Sequence, residues 1–143
     1  VKVCLYPDPV LRELALPVNN IGLEEIQTID AMLGLVIDPS TLGIAANQVG
    51  VLKRVIVVDI PGRGLTVLIN PTIISSSGKF QSEEGCISLP GRKVMVKRKK
   101  FIKVQARDRD GKFIAIKERS LIAACIQHEI DHLNGRLIID YIK

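Results

Sequence analysis
Only two histidines occur in this chain, and they stand four residues apart, in His128-Glu129-Ile130-Asp131-His132. Four residues of α-helix turn through roughly 400° and rise about 6 Å, so both imidazoles land on one face, one above the other. Nitrogens so placed can share a metal ion. Glu129, about 100° round the axis, then stands beside the ion rather than on it. That is the position for a general base acting on a metal-bound water. The plain alternative is a surface helix with two solvated histidines. The flanking residues argue against it: Leu121, Ile122, Ala124, Cys125, Ile126 and Leu133 leave little polar surface, as in a buried helix. Buried charge persists where it is paired or bound to metal. Ser120 is the expected N-cap and Gly135, after Asn134, the expected stop.

Two histidines leave a metal short of ligands, because a catalytic site of this kind usually has three protein ligands and one open position. The third must be a carboxylate or a cysteine. Cys86 leads by context, in Glu83-Glu84-Gly85-Cys86-Ile87-Ser88-Leu89-Pro90, where a glycine lets the backbone approach closely and a proline ends the segment. Cys4 lies near the terminus. Cys125, one turn before His128, has apolar neighbours that suit a wall better than a ligand. Free cysteine is often core, so both readings stand at Cys86. Asp131 points away from the histidine face and reads as a support behind it. The run Thr41-Leu42-Gly43-Ile44-Ala45-Ala46-Asn47-Gln48 is unusually rich in small residues, which permits close approach of a ligand. Gln48 is then either a hydrogen-bond donor to that ligand or a solvated surface amide.

The rest of the chain limits the frame. At 143 residues it is read as one domain, 1–143, and with 3% aromatics its core is aliphatic. No apolar run approaches the roughly 20 residues of a membrane helix, and no basic-then-apolar leader is evident. Three widely spaced cysteines argue against a disulfide scaffold and for a reducing compartment. Much of the +5 net charge gathers in Lys97-Arg98-Lys99-Lys100. Without interleaved aromatics to stack bases, that run reads as a solvated edge or turn and not as a nucleic-acid site. Helical spacing predicts an amphipathic helix over roughly 22–37, ending before Asp38-Pro39. Strands are expected over about 54–59, 66–74 (interrupted at Asn70-Pro71), 94–96, 101–107 and 113–116, with a hairpin turn at Asp108-Arg109-Asp110-Gly111. The fold class is α+β: mainly antiparallel β-sheets packed around a central metal-binding helix.

Three segments together resemble the peptide deformylase family: Gly43-Ile44-Ala45-Ala46-Asn47-Gln48, Glu84-Gly85-Cys86-Ile87-Ser88 and His128-Glu129-Ile130-Asp131-His132-Leu133-Asn134-Gly135. They follow the family's order and approximate spacing, and the resemblance runs from Pro7-Asp8-Pro9 to Asp140-Tyr141. It implies a hydrolase that removes the formyl group from the N-terminal formylmethionine of nascent polypeptides. It also implies one divalent metal on Cys86, His128 and His132, with Fe²⁺ the natural ion and Zn²⁺, Ni²⁺ or Co²⁺ able to substitute. Glu129 would be the general acid and base. Gln48 and the Ile87 N–H would be the oxyanion donors. Leu121, Ala124 and Cys125 would line the methionine pocket, and the peptide would add to strand edges near Leu42, Gly43 and Gly85.

The family's motif has glycine where this chain has Thr41, a β-branched residue ill suited to φ > 0, so a different loop is expected there. Ending at Lys143, the chain resembles short, phage-type members without the C-terminal helix that docks on the ribosome. The ribosome is therefore a partner only by some other route; no membrane or nucleic acid is expected, and the location implied is the bacterial or host cytoplasm, or an organelle after transit-peptide removal. The rivals are an H-E-x-x-H endoprotease, an inactive metal-binding module of the same fold, which the filled catalytic positions argue against, and, weakest, a nucleic-acid module resting on the Lys97-Arg98-Lys99-Lys100 run.

Overall fold
A computed structural model describes residues 2–36 and 41–142. Among these residues, seven strands form two antiparallel sheets. The larger has the order β1 (Gly43–Ala45), β2 (Val55–Ile60), β3 (Gly64–Ser77), β6 (Phe101–Arg107), β7 (Phe113–Arg119). The smaller pairs β4 (Phe80–Cys86) with β5 (Leu89–Arg98). Two α-helices, α1 (Leu23–Leu35) and α2 (Ser120–Leu133), complete the frame. The expected α+β class of antiparallel sheets round the histidine helix is what the chain adopts.

The apolar run in β2 explains the layering. Val55 and Val57 face α1, packing with Ile29, Met32, Ile44 and Ile69. Ile56, Val58 and Ile60 face α2, packing with Ala123, Ile126, Leu133, Leu68 and Val104. A strand covered on both faces has no polar alternation to show, and β2 shows none before Asp59. Each such side chain contributes about 1.5–3 kcal/mol through burial. The smaller sheet closes a third cluster, in which Val94, Val96 and Leu89 meet Leu11, Leu137 and Ile138 near the two ends of the chain.

Several expectations need adjustment. The helix predicted over 22–37 is α1, and its predicted end at Asp38-Pro39 lies outside the described residues. Asn70-Pro71 does not interrupt β3. Its register against β6 shifts there, and Asn70 adopts φ 54° while its amide exchanges two 2.8 Å hydrogen bonds with the backbone of Val18. A bulge tied down by a side chain lets the strand continue. Pro90 does not end the cysteine segment but lies at the start of β5, directly after the Ile87-Ser88 turn that returns from Cys86 to Leu89. Ser120 opens α2 at φ 53°, and no side-chain hydrogen bond caps that end. Gly135 stops the helix as expected, at φ 75° with its N–H donating to the His132 carbonyl.

Candidate metal centre and active site
α2 carries His128, Glu129 and His132 inward, with only Leu121 at its start well exposed. From the opposite side comes the end of β4. Period-two alternation turns Ser82, Glu84 and Cys86 to one face of that strand and leaves Glu83 and Gly85 on the other. The result is one group of three donors among the described residues: Cys86 Sγ and a ring nitrogen of each histidine, all within 4.8 Å of one another. The two Nε2 atoms lie 3.2 Å apart, and Cys86 Sγ lies 3.4 Å from Nε2 of His132.

The donors fit a cation. Glu84 accepts the Nδ1 proton of His128 at 3.0 Å, which turns Nε2 of that ring toward the cluster. Three potential ligand atoms thus converge, one cysteine sulfur and two imidazole nitrogens, a donor set that suits a divalent transition metal. Burial opposes charging His128, yet the Cys86 sulfur and the Glu84 carboxylate outweigh it and push its pKa up to about 10. His132, with burial and then the neighbouring His128 charge acting on it, is held well below its ordinary value. Cys4 lies outside the cluster, and so does Cys125, whose thiol is pushed far up by burial and then by Glu129.

Behind the histidines stands a charged network. Arg98 grips both oxygens of Glu84, through Nη2 at 2.6 Å and Nε at 2.9 Å, and donates from Nη1 to Asp131 at 2.7 Å. The Tyr141 hydroxyl donates to the same Asp131 oxygen at 2.6 Å. Burial would raise the pKa of Glu84, but Arg98 and His128 outweigh it and bring it down to about 2. Asp131 therefore supports from behind, as expected. Arg98 corrects the reading of the basic run as solvated: it is 4% exposed and fully engaged, while Lys97 and Lys99 face solvent. Neither Arg98 nor Glu84 had been given a part from the sequence.

In front of the histidines lies a cavity of about 400 Å³. Leu42, Gly43, Gln48, Gly85, Cys86 and Ile87 line one side, and Leu121, Ala124, Cys125, His128 and Glu129 the other. Every expected site residue except the deeper His132 reaches it. Glu129 is buried, one of its oxygens has no hydrogen-bond partner among the described residues, and burial raises its pKa to about 7. Gln48 is 1% exposed, which overturns the solvated alternative. Its Oε1 accepts from Ala45 N at 2.9 Å, and its Nε2 donates to Ser88 Oγ at 3.1 Å and lies 3.6 Å from Cys86 Sγ. Thr41, also on the cavity wall, does not take the positive φ that glycine would permit. Gly43 is needed for close approach: a Cβ there would stand 3.0 Å from Glu129 Oε2 and 3.1 Å from Cys125 Sγ.

The family model described as polypeptide deformylase matches residues 1–143. The chain belongs to that family. A peptide deformylase of Thermodesulfovibrio yellowstonii is 48% identical over 142 residues, covering 96% of this chain and 86% of that one. The crystal structure of a peptide deformylase from Legionella pneumophila superposes with a TM-score of 0.94 at 40% identity, covering 99% of this chain and 85% of the other. That of a peptide deformylase from Synechococcus elongatus in complex with actinonin gives 0.93 at 38% identity, over 100% and 79%. Deformylases are metal-binding hydrolases that remove N-formyl groups, and the converging donors are where this deformylase carries the features of a metal site. No helix among the described residues is long and apolar enough to cross a membrane.

Proposed function
We propose that this deformylase acts on the N-terminal formylmethionine of nascent polypeptides, using one divalent ion on Cys86, His128 and His132. Fe²⁺ is the ion proposed, with Zn²⁺, Ni²⁺ or Co²⁺ as substitutes, since a thiolate and two imidazoles suit all of them. The observation that carries this reading is the convergence of those three donors in the wall of a cavity, beside a buried carboxyl with an unpartnered oxygen. When bound, such an ion acts as a Lewis acid and brings the pKa of water down to about 7.

The protein's own groups account for the remaining steps. Glu129, with its pKa near 7, can take a proton from the attacking water at neutral pH and later return it to the leaving amine. Gln48 is locked by its bond from Ala45, so its amino group faces Ser88, the Cys86 sulfur and the cavity. The Ile87 N–H, in the turn after Cys86, makes no hydrogen bond within the described residues. The Ile87 N–H is therefore free for the oxygen that gains charge as the formyl carbon becomes tetrahedral, and the Gln48 amino group would exchange its long Cys86 contact for that oxygen. One such donor is worth about 3 kcal/mol.

Leu121, Ala124 and Cys125 offer an unbranched methionine side chain an apolar wall. Leu42 and Gly43, beside and on edge strand β1, and Gly85 on β4 offer backbone for the peptide to pair with. Formylated chains arise in the bacterial cytoplasm and in organelles, and the activity is proposed there, in line with the bacterial relatives.

The test is substrate discrimination. The formyl group must fit between the metal donors and the Gln48 amide, where one added methyl costs about 1–3 kcal/mol or more. Formyl-Met-peptides should be cleaved far faster than acetyl-Met-peptides, and a denatured protein should not be cut internally. Comparable rates on both peptides, or endopeptidase products, would overturn the reading in favour of an H-E-x-x-H protease.

A further inference from the structure
The outer rim of the cavity carries two cations that the proposed reaction does not use. Arg92 and Lys93, exposed on β5, line the cavity together with Gly85 and Cys86. Lys93 reaches across β4 because Gly85 has no side chain: a Cβ on Gly85 would stand 3.1 Å from the Lys93 ammonium and 3.5 Å from the Lys93 Cδ. The glycine opens a lane along which the lysine stem lies toward the cavity.

Neither cation is neutralised. The ion pairs of the described residues join Arg12 to Asp140, Lys53 to Glu24 and Glu25, Arg98 to Glu84 and Asp131, Arg109 to Asp30 and His128 to Glu84, leaving Arg92 and Lys93 free. Three carboxyls also line the cavity. Glu84 is held by Arg98 and His128, and Glu129 lies buried at the floor. Glu83 is the one exposed acid on the rim, against two cations. Leu42 and Leu121, the exposed apolar residues of the same cavity lining, carry no charge.

We infer that Arg92 and Lys93 select substrates with acidic residues immediately after the methionine. This rests on the proposed function, in which the methionine fills the inner end of the cavity and the following residues leave between β1 and β4, past this corner. An extended peptide offers side chains at alternating sides there, and a carboxylate is the complement of two unpaired cations. The chain's net charge of +5 adds a long-range bias of the same sign.

The experiment compares kcat/KM of the metal-loaded enzyme on three amidated peptides, formyl-Met-Glu-Glu, formyl-Met-Gln-Gln and formyl-Met-Lys-Lys, at low ionic strength. Exposed pairs are individually weak, so two of them should favour Glu-Glu over Gln-Gln by about three- to ten-fold, carried in KM, with Lys-Lys slowest. The ratio should shrink toward one in about 1 M salt and in the double variant Arg92→Gln, Lys93→Gln. Equal kcat/KM on all three peptides overturns the inference and leaves deformylation standing. The same preference in the double variant overturns the assignment to these two residues. No turnover of the neutral Gln-Gln peptide would remove the proposed function, and this inference with it.

Discussion

The two sides of the histidine pair are built to opposite rules. Behind them, the charged side chains Glu84, Arg98 and Asp131 and the Tyr141 hydroxyl are hydrogen-bonded to one another, and Glu84 is held as a carboxylate down to about pH 2. In front, Glu129 is buried with an unpartnered oxygen and a pKa raised to about 7. A satisfied network fixes position, because moving any member strands a buried charge. An unsatisfied carboxyl is poised for chemistry and costs stability. The rear thus holds the ligands still while the front stays free to react.

The sharpest way to test the front is to remove what is assigned to it. Cys86→Ala should lose bound metal and nearly all turnover, while Cys4→Ala, outside the donor group, should keep both. Metal stoichiometry by elemental analysis beside a formyl-Met-peptide assay separates the two, and full occupancy in Cys86→Ala would undo the ligand assignment. Next, Glu129→Gln should retain metal yet lose about 10²–10⁴-fold in kcat or more. It should also melt no lower than the parent, since a buried carboxyl without a full set of partners is replaced by a neutral amide. A lower melting point would mean that Glu129 belongs to the supporting side.

How far the sequence discloses these two sides differs. The front is written in local spacing: the i, i+4 histidines, the glutamate between them and the small residues before Gln48 each announce chemistry within a few positions. The rear is written across the chain. Glu84, Arg98, Asp131 and Tyr141 come from β4, β5, α2 and the last turn, and no short window contains them. A period-two reading of Val94, Val96 and Arg98 puts the arginine inside with the valines, as the structure does. Four basic residues in a row hid that alternation. Ser120 misled for a related reason: its type suits a cap, but it follows β7 directly at φ 53°, and no side-chain hydrogen bond caps the helix start.

Breaking the rear should therefore appear as lost stability. Arg98→Ala removes the grip on Glu84 and the bond to Asp131 and leaves two carboxylates short of a partner in a largely buried setting. Such losses cost about 3–5 kcal/mol. Denaturant unfolding of the metal-free and metal-loaded protein should both show the loss, and the variant should bind metal more weakly because His128 loses its fixed partner. An unchanged unfolding midpoint would mean that the network is not what holds this side together.

The smallest effect belongs to an exposed pair, which makes it the control for the buried one. Arg12 and Asp140 meet at 2.6 Å, but their side chains are 42% and 29% exposed, so solvent and salt screen them. The Arg12 hydrogen bond leads in holding the Asp140 pKa below its ordinary value. A folded-state pKa below the unfolded one stabilises the protein above the unfolded value, about 3.9, and that contribution fades as pH falls through the folded one. Asp140→Asn keeps an oxygen for the Leu137 N–H while removing the charge. At pH 7 it should cost about 0.2–1 kcal/mol, less in high salt, and the gap from the parent should close as the pH drops below 3.9. Unfolding curves at pH 7 and pH 3 measure this directly. A loss at pH 7 as large as that of Arg98→Ala would erase the distinction between buried and exposed pairs on which the comparison of the two sides depends.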